Sequence, residues 1–179
     1  MPRSQRSTRP AGRCTPTRSG SGGASRWRGG LGGRRYRQGG SYTGHGGPAD
    51  LPPAVDFVIV TAKGTGTRTI SREYAGGVIR GRPTASLQNG IGNEEIIAEY
   101  TDTVIGGTVT TNFSILGPGH VRVLSESAPP MRLGIWSGGD GGGALEGGLI
   151  GIVRAAGIAV EPEPDIRAGK WAKASSTSR

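Results

Sequence analysis

Apolar positions recur in two rhythms along residues 51–179, and the rhythms alternate. Residues 55–61 are β-branched and almost continuously apolar apart from Asp56, as a strand covered on both faces should be. Residues 84–88 predict a shorter strand, 93–100 a helix, and 104–111 a strand rich in Thr and Val. Beyond Pro118, residues 120–126 and 131–136 predict two antiparallel strands joined through Pro129-Pro130. Leu145, Leu149, Ile152 and Val153 have helical spacing within 144–156, a terminal strand follows at 158–160, and 165–174 predict a last helix. Such alternation is the pattern of an α/β domain with a mostly parallel sheet. Glycines 143, 147 and 148 each cost a helix interior about 1 kcal/mol against Ala, so helix 144–156 is expected to fray at its start.

Between the second strand and the first helix lies Leu87-Gln88-Asn89-Gly90-Ile91-Gly92-Asn93-Glu94-Glu95. Its two glycines permit a sharp turn and a close approach to a ligand that a Cβ would exclude, which holds Asn89 at a strand tip. Asn93 suits an N-cap, and Glu94 and Glu95 place negative charge where the helix dipole favours it, ahead of Ile96-Ile97. In an open α/β sheet the carboxyl ends of the strands are where nucleotides and small substrates bind, so an amide there can face both. An Asn-Gly pair also serves as a plain turn. Adjacent helical glutamates point about 100° apart, so Glu94 and Glu95 form no acid/base pair toward one substrate. Their expected role is helix-start charge.

The wording of this segment, followed by Val104-Ile105-Gly106-Gly107-Thr108 and Thr110-Thr111-Asn112, closely resembles the 2-dehydropantoate 2-reductases (ketopantoate reductases). Gly117-Pro118-Gly119-His120-Val121 resembles that family's hairpin, and Ala156-Gly157-Ile158 with Val160 its last nucleotide-domain strand. Asp165-Ile166-Arg167 through Lys170-Trp171-Ala172-Lys173 resembles its catalytic helix. These blocks stand in the family's order across residues 50–174.

The resemblance implies NADPH as cofactor, a small keto acid as substrate, a place in pantothenate and coenzyme A biosynthesis, and a homodimer as a candidate assembly. It implies Lys173, the lysine of the Trp-Xaa-Lys helix, as the catalytic ammonium; on residue type alone it is a solvated lysine near a helix C-terminus. It implies that Lys63, at the tip of strand 55–61, contacts the cofactor, where a solvated strand-end charge is the other reading. Asn89 is implied to touch both cofactor and substrate, and Lys173 to touch the substrate. Ser114, or Phe113 if the Thr-rich strand is aligned one residue differently, matches a position whose backbone touches the cofactor. His120 is one histidine in a hairpin, which reads as a surface or structural residue.

Both ends depart from the family's pattern. A dinucleotide-binding fold opens with an apolar strand, a Gly-x-Gly-x-x-Gly turn and a helix that holds the pyrophosphate. Residues 1–50 offer only Gly20-Ser21-Gly22-Gly23-Ala24-Ser25, with Pro, Thr and Arg where the strand should be, a chance match. Gly64-Thr65-Gly66-Thr67-Arg68-Thr69 does follow a strand, but no apolar helical periodicity follows it, so a loop is expected. One turn beyond Lys173, where the resemblance implies a substrate-binding Asn, stands Thr177. The expected class is therefore α/β: a Rossmann-like, mostly parallel sheet lacking a recognisable Gly-x-Gly-x-x-Gly opening, with only the start of a C-terminal helical domain. The expected division is a basic leader at 1–50, a partial dinucleotide-binding domain at 51–162, and the beginning of a truncated substrate domain at 163–179.

Charge separates the leader from the rest. Residues 1–50 hold ten arginines and one acid, Asp50, whereas residues 51–179 carry twelve basic and twelve acidic side chains and sum to zero. The leader also has 13 of the 35 glycines and no run of apolar residues, so it is expected to be disordered, without enough buried surface to offset the entropy of ordering. Its origin is expected to be a replaced or out-of-frame version of the missing opening. It lacks the apolar stretch of roughly 7–15 residues that a signal peptide needs. No apolar run approaches the ~20 residues of a membrane span, and Cys14 is the only cysteine, which excludes a disulfide framework and a thiolate zinc site. The expectation is a cytoplasmic protein that binds neither metal nor membrane. A second function class rests on Arg26-Trp27-Arg28 and Arg34-Arg35-Tyr36-Arg37, whose interleaved cations and aromatics suit phosphate contact and base stacking. On that alternative the chain is an inactive remnant whose leader binds nucleic acid nonspecifically.

Overall fold

The computed structural model describes residues 17–18, 24–26, 42–43, 48, 51, 55–117, 120–125, 127–138 and 143–177. The chain divides into two compact units, Met1–Gly44 with Phe113–Leu124, and His45–Asn112 with Ser125–Arg179. In the first, β1 (Thr17–Arg18), β2 (Ala24–Arg26) and β3 (Tyr42–Thr43) form an antiparallel three-stranded sheet. Residues 20–23 of the glycine near-match, Cys14 and most of the arginine and aromatic clusters of the leader lie outside the described residues.

The second unit is built on β4 (Val58–Val60), β5 (Thr84–Ser86), β6 (Val104–Val109), β9 (Met131–Ser137) and β10 (Val160–Pro162), in the order β10-β9-β6-β5-β4. Pairs β4/β5, β5/β6 and β9/β10 are parallel, and only β6/β9 is antiparallel. The sheet is covered on both faces. One face packs Ala85, Ile105, Leu133 and Val160 against Leu145, Leu149 and Ile150 of the helical stretch 143–155, and the other packs Val60, Val104 and Trp136 against Ile97 and Ile166. That double burial explains why the strands read as apolar runs or small residues rather than as alternating patterns.

Three expectations change. Residues 120–125 do not pair with 131–137: β8 (His120–Ser125) lies beside β7 (Asn112–Gly117) in a two-stranded sheet, while β9 joins the main sheet. Connectivity through Gly117 favours the local hairpin, and Thr110 ties the Pro129-Pro130 link to the main sheet by donating to it: its N–H donates to the Pro130 carbonyl at 2.9 Å and its Oγ1 to that of Pro129 at 3.1 Å.

The glycine-rich turn after β4 is also no loop. Residues Gly64–Gly66 form a 3-10 turn that runs directly into α1 (Thr67–Tyr74). The buried face of α1 is made of Thr67 and Ser71, so its helical spacing is carried by small polar residues that an apolar count passes over.

Stretch 143–155 does not fray in the ordinary sense. It opens as a π-helical segment, Gly143–Ile150, before α3 (Gly151–Ala155), and a Cβ on Gly148 would overlap the Phe57 ring. Gly148 is kept small by that packing.

Candidate active site

The parallel register sets the rim of the sheet. Val60 on β4 stands level with Ser86 on β5, and Ser86 with Gly106 on β6. Lys63, Asn89 and Val109 each lie three residues beyond that row, so three neighbouring strands deliver them to the same carboxyl-end edge. Asn89 is exposed in a turn whose Gly90 and Gly92 have φ of 87° and 88°, the left-handed region that disfavours side chains. A Cβ at either glycine would meet nothing within 4 Å, so this side of the turn is open.

Helix α4 (Ile166–Thr177) crosses this rim. The Asp165 carboxylate caps it, accepting from the Ala168 N–H at 3.0 Å. Ile166, Lys170 and Lys173 fall at i, i+4 and i+7, one face of the helix, and that face meets the sheet. Contact is close because Gly106 and Gly134 are cross-strand partners that leave the sheet bare there. A Cβ on Gly106 would lie 3.0 Å from Ile166 Cγ1, and one on Gly134 would lie 2.8 Å from Ile166 Cβ. Arg167 holds the helix from its flank, 4.4 Å above the Trp136 ring centroid and donating to the Trp136 carbonyl at 2.9 Å.

Seated this way, α4 brings two predicted residues together. Lys173 Nζ donates to Asn89 Oδ1 at 2.8 Å and to the Val109 carbonyl that ends β6. Burial, and then the nearby Lys170 ammonium, hold the Lys173 proton affinity below the ordinary lysine value. An ammonium that gives up its proton more readily, beside a carboxamide on an open turn, can bind a polarised oxygen and protonate it. Lys63 sits exposed at the end of the adjacent strand, and its carbonyl accepts the Gly66 N–H at 2.8 Å. Ser114 and Phe113 lie on β7, in the other unit.

Beneath the turn lies a polar network that sequence reasoning missed. Buried Gln88 donates from Nε2 to the Ala62 carbonyl and to Thr67 Oγ1, both at 2.8 Å, while Ser86 Oγ donates to Gln88 Oε1 at 3.3 Å. Thr67 Oγ1 donates to Asn93 Oδ1 at 2.8 Å, and Asn93 Nδ2 to the Asn89 carbonyl at 3.2 Å. Asn93 is thus the first residue of α2 (Asn93–Ala98) and not its cap, which is Gly92. Its side chain is spent on fixing the turn instead. Gly64 packs against it, since a Cβ there would lie 3.1 Å from Asn93 Oδ1.

Glu94 likewise departs from a helix-start charge. It is fully buried and ion-paired with Lys170, itself 4% exposed, whose Nζ also donates to the Gln88 carbonyl at 3.2 Å. The available signal was the i, i+3 spacing of Lys170 and Lys173 on one helix. Among the described residues no cluster of three or more His, Cys, Asp or Glu could hold a metal ion, and no helix is long and apolar enough to cross a membrane.

The family described as ketopantoate reductase PanE/ApbA matches residues 42–138. A 2-dehydropantoate 2-reductase of Archaeoglobus fulgidus is 34% identical over 133 residues, covering 69% of this chain and 40% of that protein. The crystal structure of 2-dehydropantoate 2-reductase from Geobacter metallireducens GS-15 superposes with a TM-score of 0.59 at 25% identity, covering 75% of this chain and 45% of the other. A D-mandelate dehydrogenase solved with NADH and anilino(oxo)acetate shares the fold, with a TM-score of 0.57 at 20% identity over 71% of this chain and 40% of its own. The chain therefore spans less than half the length of these relatives.

Proposed function

Because the chain belongs to the ketopantoate reductase PanE/ApbA family, we propose that it carries the nicotinamide-facing part of a site that reduces 2-dehydropantoate to pantoate with NADPH. The observation that supports this most is the 2.8 Å contact between Lys173 Nζ and Asn89 Oδ1 at the carboxyl-end rim of the parallel strands. On this reading residues 51–162 make a partial dinucleotide-binding domain and α4 begins the substrate domain. The open side of the Gly90 and Gly92 turn fits the approach of a flat ring, and Asn89 with Lys63 would hold the cofactor there. When bound, a reduced nicotinamide supplies the hydride that the carbonyl carbon of the keto acid accepts.

The chain's own residues do the rest. Lys173 orients the keto oxygen by hydrogen bonding, stabilises the negative charge that grows on it, and transfers a proton to it from Nζ. Asn89 holds that ammonium through Oδ1 and the Val109 carbonyl accepts another Nζ proton, which together keep Nζ at the rim of the sheet. Partial burial excludes water from the lysine and eases its proton release.

The test is NADPH absorbance loss with 2-dehydropantoate, comparing the full chain with Lys173→Ala. Turnover by the parent and a loss of about 10²–10⁴-fold in the variant are expected for removal of a general acid. Equal rates would reject the lysine's role. No rate in either would leave the chain an inactive remnant.

A further inference from the structure

The buried Lys170–Glu94 pair has no part in the chemistry above, and stability is a poor reason for it. Lys170 is 4% exposed and Glu94 0%, and replacing such a pair by apolar side chains of like volume is often neutral or stabilising. The pair is not even fully satisfied, since Glu94 Oε2 has no hydrogen-bond partner. What it does supply is direction. The Lys170 ammonium donates both to Glu94 on α2 and to the Gln88 carbonyl, at 3.2 Å in the latter case, and that carbonyl belongs to the peptide unit leading into Asn89. One turn along the same helix, Lys173 grips the Asn89 side chain at 2.8 Å.

Resting on the reading of Lys173 and Asn89 given above, we propose that Lys170 is a positioning residue. Its ammonium, held between Glu94 and the Gln88 carbonyl, locks α4 to the turn so that the Lys173 ammonium meets the Asn89 carboxamide. Two lysines three residues apart thus hold consecutive residues of the turn, which fixes both the height and the rotation of the helix. A simple surface salt bridge would fix neither, because it has no second acceptor and water competes for both ends. The charged groups on elements packed against α4 are Lys170 and Arg167 on the helix itself, Glu94 and the exposed Glu95 on α2, Arg132 on β9, and Glu163 and the capping Asp165 before α4. Arg167 is engaged with Trp136, and Arg132 with Glu161 and Glu163. The buried pair is therefore the electrostatic neighbour whose removal Lys173 should feel, in agreement with the lowering that Lys170 imposes on it.

The experiment is NMR of the full chain with ¹³C-labelled lysine side chains, the Lys173 resonance being identified by its loss in Lys173→Arg. Lys170→Met combined with Glu94→Met removes both charges at nearly constant volume. The Lys173 titration midpoint is expected to rise toward the ordinary lysine value, since the Lys170 charge that helps lower it is gone while its burial remains, and the Asn89 side-chain amide signals to shift. A folded double variant with an unmoved Lys173 midpoint and unmoved Asn89 signals would overturn the proposal. Should the double variant not fold, Glu94→Asp decides: it keeps both charges but withdraws the carboxylate by one methylene, and is expected to displace the Lys173 and Asn89 signals, whereas unchanged signals again overturn the proposal. None of these readouts needs turnover. Failure of the parent to oxidise NADPH would count against the reductase reading alone and leave the positioning result legible.

Discussion

Gly134→Ala should push α4 off the sheet and disable the site from a distance. The new Cβ would overlap the Glu163 carbonyl and stand 2.8 Å from Ile166 Cβ. Carbon atoms rest about 3.5–4.0 Å apart, so the segment 163–166 must retreat by roughly 1 Å. Neither obstacle is the free end of a flexible side chain: one is backbone whose N–H already donates to the Leu133 carbonyl at 2.7 Å, and the other is a branch point at the start of α4. Overpacking of this kind costs about 1–3 kcal/mol, and the backbone clash places Gly134→Ala toward the upper end. With a urea m-value of roughly 1–3 kcal/mol/M, the unfolding midpoint should fall by about 1 M. A retreat of that size carried along α4 also takes the 2.8 Å Lys173–Asn89 contact past the reach of a hydrogen bond. Reduction should therefore fall more steeply than stability accounts for, measured under conditions where the variant remains folded. Gly147→Ala is the control, because a Cβ there meets nothing within 4 Å. Equal midpoints for the two alanine variants, with full activity in Gly134→Ala, would refute the view that bare glycines set the height of the helix.

Gln88→Leu leaves the Ala62 carbonyl and Thr67 Oγ1 without their partner beneath the turn, so urea unfolding should show a loss of about 1–3 kcal/mol; an unchanged midpoint would mean that water satisfies those groups instead. If Lys173 donates the proton as proposed, the alkaline limb of kcat/KM should begin below the ordinary lysine value of 10.5, since burial and then Lys170 ease loss of that proton. The sign for stability is opposite. Between the lowered folded value and 10.5 the unfolded chain holds more protons at this position, so stability gains from Lys173 as pH rises through that window. A limb that starts at or above 10.5 would place Lys173 outside the proton transfer.

Strand tips were legible where chemistry and periodicity agree. The run ending at Val60, the Asn-Gly-Ile-Gly turn and the Gly-Gly of β6 announce a parallel sheet and its rim, and the register then places Lys63, Asn89 and Val109 side by side. Helix α1 was hidden because Thr67 and Ser71 do what apolar residues usually do on a buried face. The pairing of β8 was misread because Pro129-Pro130 looks like a hairpin link, whereas the chain there crosses to a different sheet. Sequence assigns Glu94 to helix-start charge and gives Lys170 no role of its own, and only packing shows the two as a buried pair. Burial of charge depends on contacts between residues 76 positions apart, which no local pattern carries.

The site depends on two separate settings, and their separation has a measurable consequence. Glycines 106 and 134 set how closely α4 approaches, at a cost of about 0.5–1 kcal/mol each in a strand interior, which only close packing against Ile166 offsets. Gly90 and its neighbours set the turn, and Gly90→Ala, at φ 87°, should cost about 1–2 kcal/mol in backbone strain. The two positions share no neighbour, since a Cβ on Gly90 meets nothing within 4 Å while one on Gly134 meets Glu163 and Ile166. Their effects on stability should therefore add to within about 0.5 kcal/mol in the double variant. Their effects on reduction should not add, because each separately breaks the same Lys173–Asn89 contact and a contact can be lost only once. Double-variant rates close to that of the worse single variant, alongside additive unfolding midpoints, are the expected pair of results. Rates that multiply would mean that the helix and the turn act on the reaction through different atoms, and the shared contact would lose its place at the centre of the site.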